Sequence, residues 1–83
     1  MAGEMTLRVA YYAVLRERAG TGEETVRSRA ATPLELYAEV SRLHDLGIEP
    51  SSLRVAVNER IVGWDAPLAD GDTVVFLPPF AGG

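Results

Sequence analysis

One stretch of this chain constrains the rest. Thr32-Pro33-Leu34-Glu35 carries three marks of a helix start: a hydroxyl N-cap, a proline at the first helical position and a glutamate placed to complete a capping box. Leu36, Val40 and Leu43 follow at helical spacing with Tyr37 beside them, and Gly47 is the expected stop. This is the main helix of the chain, and it has one apolar stripe that must be buried against something else. Only a short second helix is expected, over Ala13–Ala19, which is rich in helix formers and followed by Gly20 as a C-terminal cap.

The partner for the stripe is read from the flanking segments. Leu7–Tyr12 alternates large residues with small or polar ones, and Glu24–Ser28, Leu53–Val57, Ile61-Val62 and Thr73–Leu77 have the β-branched, alternating character of strands. Gly20-Thr21-Gly22, Asn58-Glu59-Arg60 and Asp70-Gly71-Asp72 mark the turns between them. The order is strand, strand, helix, strand, short strand, strand. One helix laid across one mixed sheet of about five strands, an α+β fold, is the two-layer arrangement that buries such a stripe. At 83 residues the chain makes one domain.

Residues 1–78 are assigned to this domain and 79–83 to an extended tail. Pro78-Pro79 closes the last strand, because proline has no N–H to donate and holds φ near −65°. Pro79, Phe80, Ala81, Gly82 and Gly83 reach up to roughly 17 Å when extended. The last two residues lack a Cβ, so the terminal carboxylate is slim enough for a channel that a branched residue would block. The working atom is therefore expected at Gly83.

Strand alternation sorts side chains onto two faces. Leu7, Val9, Tyr11, Leu53, Val55, Val57, Val74 and Phe76 are assigned to the core beneath the helix. The opposite face should be solvated, yet it carries Ala10, Tyr12, Ala56, Val75 and Leu77, joined by Ile61. An apolar patch on an open sheet face marks a partner site, and this one lies beside the root of the tail.

Composition removes other functions. Net charge is −4, with no cysteine and no lysine, which argues against a nucleic-acid binder and excludes a disulfide or a thiol nucleophile. The apolar runs are too short to span a bilayer, and no basic stretch precedes an apolar one at the N-terminus. A soluble cytoplasmic protein without nucleic-acid or membrane partners is expected. His44 suits a helix C-terminus better than a catalytic role. Asp65, Asp70 and Asp72 lack calcium-loop spacing, so no metal site is expected. Trp64 reads as packing, and no Ser-His-Asp set is evident.

Tyr11-Tyr12-Ala13-Val14-Leu15-Arg16-Glu17-Arg18-Ala19-Gly20 resembles the aromatic-aromatic-Ala-x-Leu-Arg-Glu-x-x-Gly block of the small subunits of molybdopterin synthase. Val57-Asn58, Pro67-Leu68-Ala69-Asp70-Gly71-Asp72, Val75–Pro79 and the closing Ala81-Gly82-Gly83 resemble the second half of that family. The Asp-Gly-Asp turn and the Gly-Gly end are shared with other ubiquitin-like sulfur carriers. The resemblance implies a β-grasp fold. It also implies a mechanism, in which an ATP-dependent adenylyltransferase similar to ubiquitin-activating enzymes adenylates Gly83. A persulfide from a donor such as a cysteine desulfurase or rhodanese then leaves a thiocarboxylate there. That sulfur would be given to a cyclic pyranopterin phosphate, building the dithiolene of molybdopterin.

The large subunit would hold the catalytic pocket, in a heterotetramer with two small subunits, and this chain would bind no cofactor, the ATP being used by the activating enzyme. Tyr12, Arg16, Ile61, Val75, Leu77, Pro78, Pro79, Phe80 and Ala81 would meet the partner, with Gly82 and Gly83 as the catalytic end. A related carrier for thiamine, cysteine or tRNA thiolation, or one conjugated to proteins, carries the same Gly-Gly signal.

Overall fold

The computed structural model describes residues 3–78. The elements in chain order are β1 (Met5–Tyr11), α1 (Val14–Ala19), β2 (Glu23–Ser28), α2 (Pro33–His44), a single 3-10 turn (Pro50–Ser52), β3 (Arg54–Val57), β4 (Arg60–Val62) and β5 (Thr73–Leu77). The five strands form one sheet in the order β2-β1-β5-β3-β4. The central β1–β5 pair is parallel and the other three pairs are antiparallel. A mixed sheet under one main helix is the β-grasp arrangement expected.

Both helices and three strands feed one core. Leu7, Val9 and Tyr11 from β1, Leu15 from α1, Leu36, Tyr37 and Val40 from α2, Val55 from β3 and Val74 and Phe76 from β5 are all buried. Tyr37 meets Phe76 edge-on at 5.0 Å between ring centres. Trp64 stacks on the same ring at 5.9 Å and 8° and closes the cluster from its half-buried position, as the packing reading required.

The start of α2 follows its sequence signature with one shift. The Glu35 N–H donates to Thr32 Oγ1 at 3.3 Å. Glu35 Oε1 accepts from the Ala31 N–H at 2.8 Å, one residue before the N-cap that a standard capping box would serve. Leu34 N–H, an otherwise orphaned first-turn donor, is taken by the Trp64 carbonyl at 3.1 Å.

The end of α2 departs from expectation. Gly47 does not stop the helix; Asp45 does, in the left-handed conformation at φ 54°, ψ 53°. Aspartate tolerates that region through its short polar side chain, and the reversal drops Leu46 into the core with no exposed surface. Leu43 is correspondingly not part of the stripe and is 66% exposed. At 3.6 residues per turn it lies about 70° off the line through Pro33, Leu36, Tyr37 and Val40, whose next central position is His44.

Two smaller corrections concern strand and helix edges. Leu53 is buried but precedes β3, because the unforeseen turn at Pro50–Ser52 carries it inward. Ala13 is not helical: it sits before α1 at φ 54°, ψ −127°.

The Asp70-Gly71-Asp72 turn ties three elements at one end of the sheet. Asp70 Oδ1 accepts from the Thr6 N–H at 2.7 Å. Asp72 accepts from Asn58 Nδ2 at 2.9 Å and from the Ala69 N–H at 2.8 Å. Asn58 Oδ1 in turn accepts from the Thr73 N–H at 3.0 Å. Gly71, at φ +88°, occupies a conformation that costs other residues strain.

Candidate functional site

The register of the sheet assembles the open face row by row. Ala10 pairs with Val75, Val75 with Ala56, and Ala56 with Ile61. These four residues form one transverse row across β1, β5, β3 and β4. Residues directly opposite on a sheet share a face, so the row is a continuous apolar band on the side away from α2. The next row toward the end of β5 holds Leu77 opposite Arg54. Tyr12 follows the last paired residue of β1, since Tyr11 is opposite Phe76. Alternation sends Tyr11 to the core and Tyr12 to the open side, where it is 52% exposed.

Val75, Leu77 and Ile61 therefore share one face, as expected, with Tyr12 at its margin. Ile61 is 59% exposed, while Val75 and Leu77 are half-buried. Ala10 and Ala56 were expected to be solvated, but both are buried, being short side chains flanked in the row by larger ones, Ala10 by Val75 and Glu23 and Ala56 by Val75 and Ile61. The band is thus narrower than the sequence suggests and is carried by its branched and aromatic members. Pro78 is half-buried and continues from it.

Arg16 does not join this register. It is exposed on α1, and its Nε lies 3.3 Å from where a Cβ on Gly22 would stand, so its guanidinium covers the chain entering β2. Pro79, Phe80, Ala81, Gly82 and Gly83 lie outside the described residues. Two features of the face escaped the sequence reading. Arg54 was not read as a site residue. It stands exposed across from Leu77, with no carboxylate within 4.0 Å among the described residues. The backbone of Ala13 gave no signal, because alanine reads as a helix former.

Chemistry on this face is limited. It presents aliphatic surface, one phenol and arginine, and the row ends at the exposed carboxylate of Glu23, opposite Ala10 and 4.0 Å from Arg8 Nε. Among the described residues no three His, Cys, Asp or Glu side chains gather as metal ligands, and no helix is long and apolar enough to cross a membrane. The face can bind, and a reactive group must come from elsewhere in the chain.

The titratable cluster of the protein lies on the other side of the sheet. Tyr11 Oη donates to Glu24 Oε2 at 2.5 Å, and His44 Nε2 approaches the same oxygen at 2.6 Å. The His44 and Tyr11 rings meet edge-on at 5.7 Å. Burial first, then the hydrogen bond and charge of Glu24, push the Tyr11 phenol well above its ordinary value. Burial likewise raises Tyr37, whose hydroxyl donates to the Ile48 carbonyl at 2.6 Å. These groups bind strands to helix and do not open onto the apolar band.

The sequence profile of the ThiS family matches residues 9–83. The molybdopterin synthase sulfur carrier subunit of Escherichia coli (strain K12) is 36% identical over 80 residues, covering 93% of this chain and 99% of that protein. Among solved structures, a Pyrococcus furiosus protein described as putative molybdopterin converting factor, subunit 1, superposes with a TM-score of 0.77. It is 30% identical, over 92% of this chain and 99% of its own. A chain from the complex of subunits 1 and 2 of molybdopterin-converting factor of Helicobacter pylori 26695 superposes with a TM-score of 0.65 at 26% identity, over 95% and 100%.

Proposed function

This chain belongs to the ThiS family, and from that premise we propose that it is the sulfur-carrying small subunit of a molybdopterin synthase. The observation that carries the reading is that the family match runs through the apolar face and on to Gly83, while the relative matched over almost its whole length is itself named as a sulfur carrier subunit. The absence of cysteine agrees with a sulfur that rides on a terminal carbonyl.

The carboxylate of Gly83 is a poor electrophile until it is activated. Its oxygen attacks the α-phosphate of ATP in an activating enzyme, pyrophosphate leaves, and the acyl-adenylate gains AMP as a good leaving group. The outer sulfur of a donor persulfide displaces AMP and gives an acyl disulfide; a thiol of the sulfur-donating machinery then attacks the donor's own sulfur, forms a disulfide with it and releases the thiocarboxylate. That sulfur is the nucleophile toward the pyranopterin precursor in the large subunit, and two transfers complete the dithiolene.

The chain's own role is to be held and to extend. Tyr12, Ile61, Val75, Leu77 and Pro78 dock on the large subunit, and Arg16 meets it from α1, outside the apolar row. Pro79, Phe80, Ala81 and Gly82 pass Gly83 into the partner's pocket. Support for such docking comes from the apolar row beside the end of β5 and from the two-subunit assembly of the Helicobacter relative.

Intact mass after co-expression with an activating enzyme and a sulfur source tests the chemistry. The expected product has one oxygen replaced by sulfur at Gly83, and an unchanged mass beside an enzyme that thiolates another carrier sinks it. Capture of the acceptor tests the pathway. A molybdopterin synthase large subunit is expected on the chain, and a thiamine, cysteine or tRNA-thiolation enzyme in its place moves the carrier to that route. Removing Gly82 and Gly83 should abolish transfer and leave docking intact.

A further inference from the structure

The β1–α1 junction holds a residue in a conformation its side chain opposes. Ala13 sits at φ 54°, ψ −127°, at the first central position of a turn closed by the Leu15 N–H on the Tyr12 carbonyl at 3.1 Å. These angles are those of a type II′ turn, whose first central position is taken by glycine. For a residue with a Cβ such a conformation costs on the order of 1–3 kcal/mol and persists only where its surroundings over-determine it.

They do so here. Tyr11 is buried, and its N–H is held by the Gly22 carbonyl at 2.9 Å; Leu15 is fully buried four residues on. Only Tyr12, Ala13 and Val14 span the two anchors, so the chain must reverse within them. The residue thrust out at the reversal is Tyr12, half exposed at the margin of the apolar band.

Glycine would make this turn without strain, yet the position holds alanine. What alanine has and glycine lacks is stiffness: a Cβ restricts the backbone, whereas glycine samples both signs of φ. We propose that Ala13 is a positioning residue: within the turn that Tyr11 and Leu15 anchor, its Cβ narrows the backbone excursions open to the chain, and this holds Tyr12 in its outward pose before docking and so lowers the ordering cost of binding. The inference rests on the docking role given above to the Tyr12 face.

Two full-length variants separate stiffness from strain. Ala13→Gly removes both. A chemically synthesised chain with D-alanine at position 13 removes the strain but keeps the restriction, since a D-residue favours positive φ. Both variants should melt above the natural chain. The glycine variant should bind the large subunit roughly 2- to 10-fold more weakly, as expected for one side chain that must be ordered on binding, and the D-alanine variant should bind as the natural chain does.

A readout on the free protein needs no partner: the backbone order parameter at Tyr12 should fall in the glycine variant and hold in the D-alanine one. The proposal is overturned if the glycine variant keeps full affinity and order, if the D-alanine variant loses as much as glycine does, or if neither melts higher. If the natural chain does not bind a large subunit while the order parameters behave as stated, the assigned partner is wrong and the positioning role stands.

Discussion

At the scale of single residues, the most consequential group outside the apolar face is the Tyr11 hydroxyl. It is buried against Glu24, and His44 approaches the same carboxylate oxygen. Because burial and Glu24 raise the folded phenol above its ordinary value near 10, the folded state holds a proton that the unfolded state releases first. The stabilising contribution is therefore full below about pH 10 and is lost as pH rises from there through the folded value. Melting temperature followed from pH 8 to 11.5 should be level and then fall. Tyr11→Phe should lower it by the equivalent of about 1–2 kcal/mol near neutrality, through the lost hydrogen bond, and should flatten the alkaline limb; an equally steep limb in that variant would assign it to Tyr37 instead. The burial of Tyr11 was legible from alternation, but its partners were not. Glu24 lies 13 residues from Tyr11, and His44 a further 20 from Glu24, and no local pattern joins them. The conformation of Ala13 was illegible for a related reason, since it is imposed by two buried neighbours and not by its own preference.

At the scale of elements, α2 shows which signals the sequence carries well. Its start is written in local hydrogen-bonding chemistry and was readable at Thr32, Pro33 and Glu35. Its end is set by Leu46 needing the core, and Asp45 bears the conformational cost that Gly47 was expected to spare. The stripe was readable at Leu36 and Val40 and failed at Leu43, where helical spacing alone did not show that the last central position belongs to His44. Substitution should reproduce this contrast. Leu36→Ala should cost about 2–5 kcal/mol in chemical denaturation, and Leu43→Ala within about 0.5 kcal/mol. The same logic applies to the sheet. Each strand was legible from alternation, but the parallel β1–β5 pairing joins segments more than sixty residues apart and was not. That pairing is what brings Ala10, Val75, Ala56 and Ile61 into one row. Ile61→Asp, on an exposed edge-strand position, should leave the melting temperature near that of the natural chain. It should weaken large-subunit binding by at least about 10-fold, as a charge placed in an apolar contact does; unchanged affinity by calorimetry would remove β4 from the interface.

At the scale of the whole molecule, the two ends of the sheet have different work. One end is tied by the Asp70–Asp72 turn and Asn58, and the other leads from Leu77 into the tail. Five residues of β5 separate them, about 16 Å at strand spacing. Asp72→Ala should therefore cost about 0.5–1.5 kcal/mol by removing the exposed hydrogen bonds from Asn58 and Ala69, while binding to the large subunit, measured below the melting transition, stays as it was. A loss of affinity equal to that of Ile61→Asp would show the two ends to be coupled.

The central place of β5 also has a mechanical consequence. It is the strand that leads to the tail, and it is hydrogen-bonded along both sides, to β1 and to β3. A partner that draws the tail inward pulls along the axis of β5, so the load falls on both ladders in shear and every bond shares it. Were β5 an edge strand, or were the force applied across the ladders, the bonds would break in succession like a zip. On the proposed function, in which the end is gripped, charged and released over many cycles, the chain is thus anchored through the strand that is hardest to peel away.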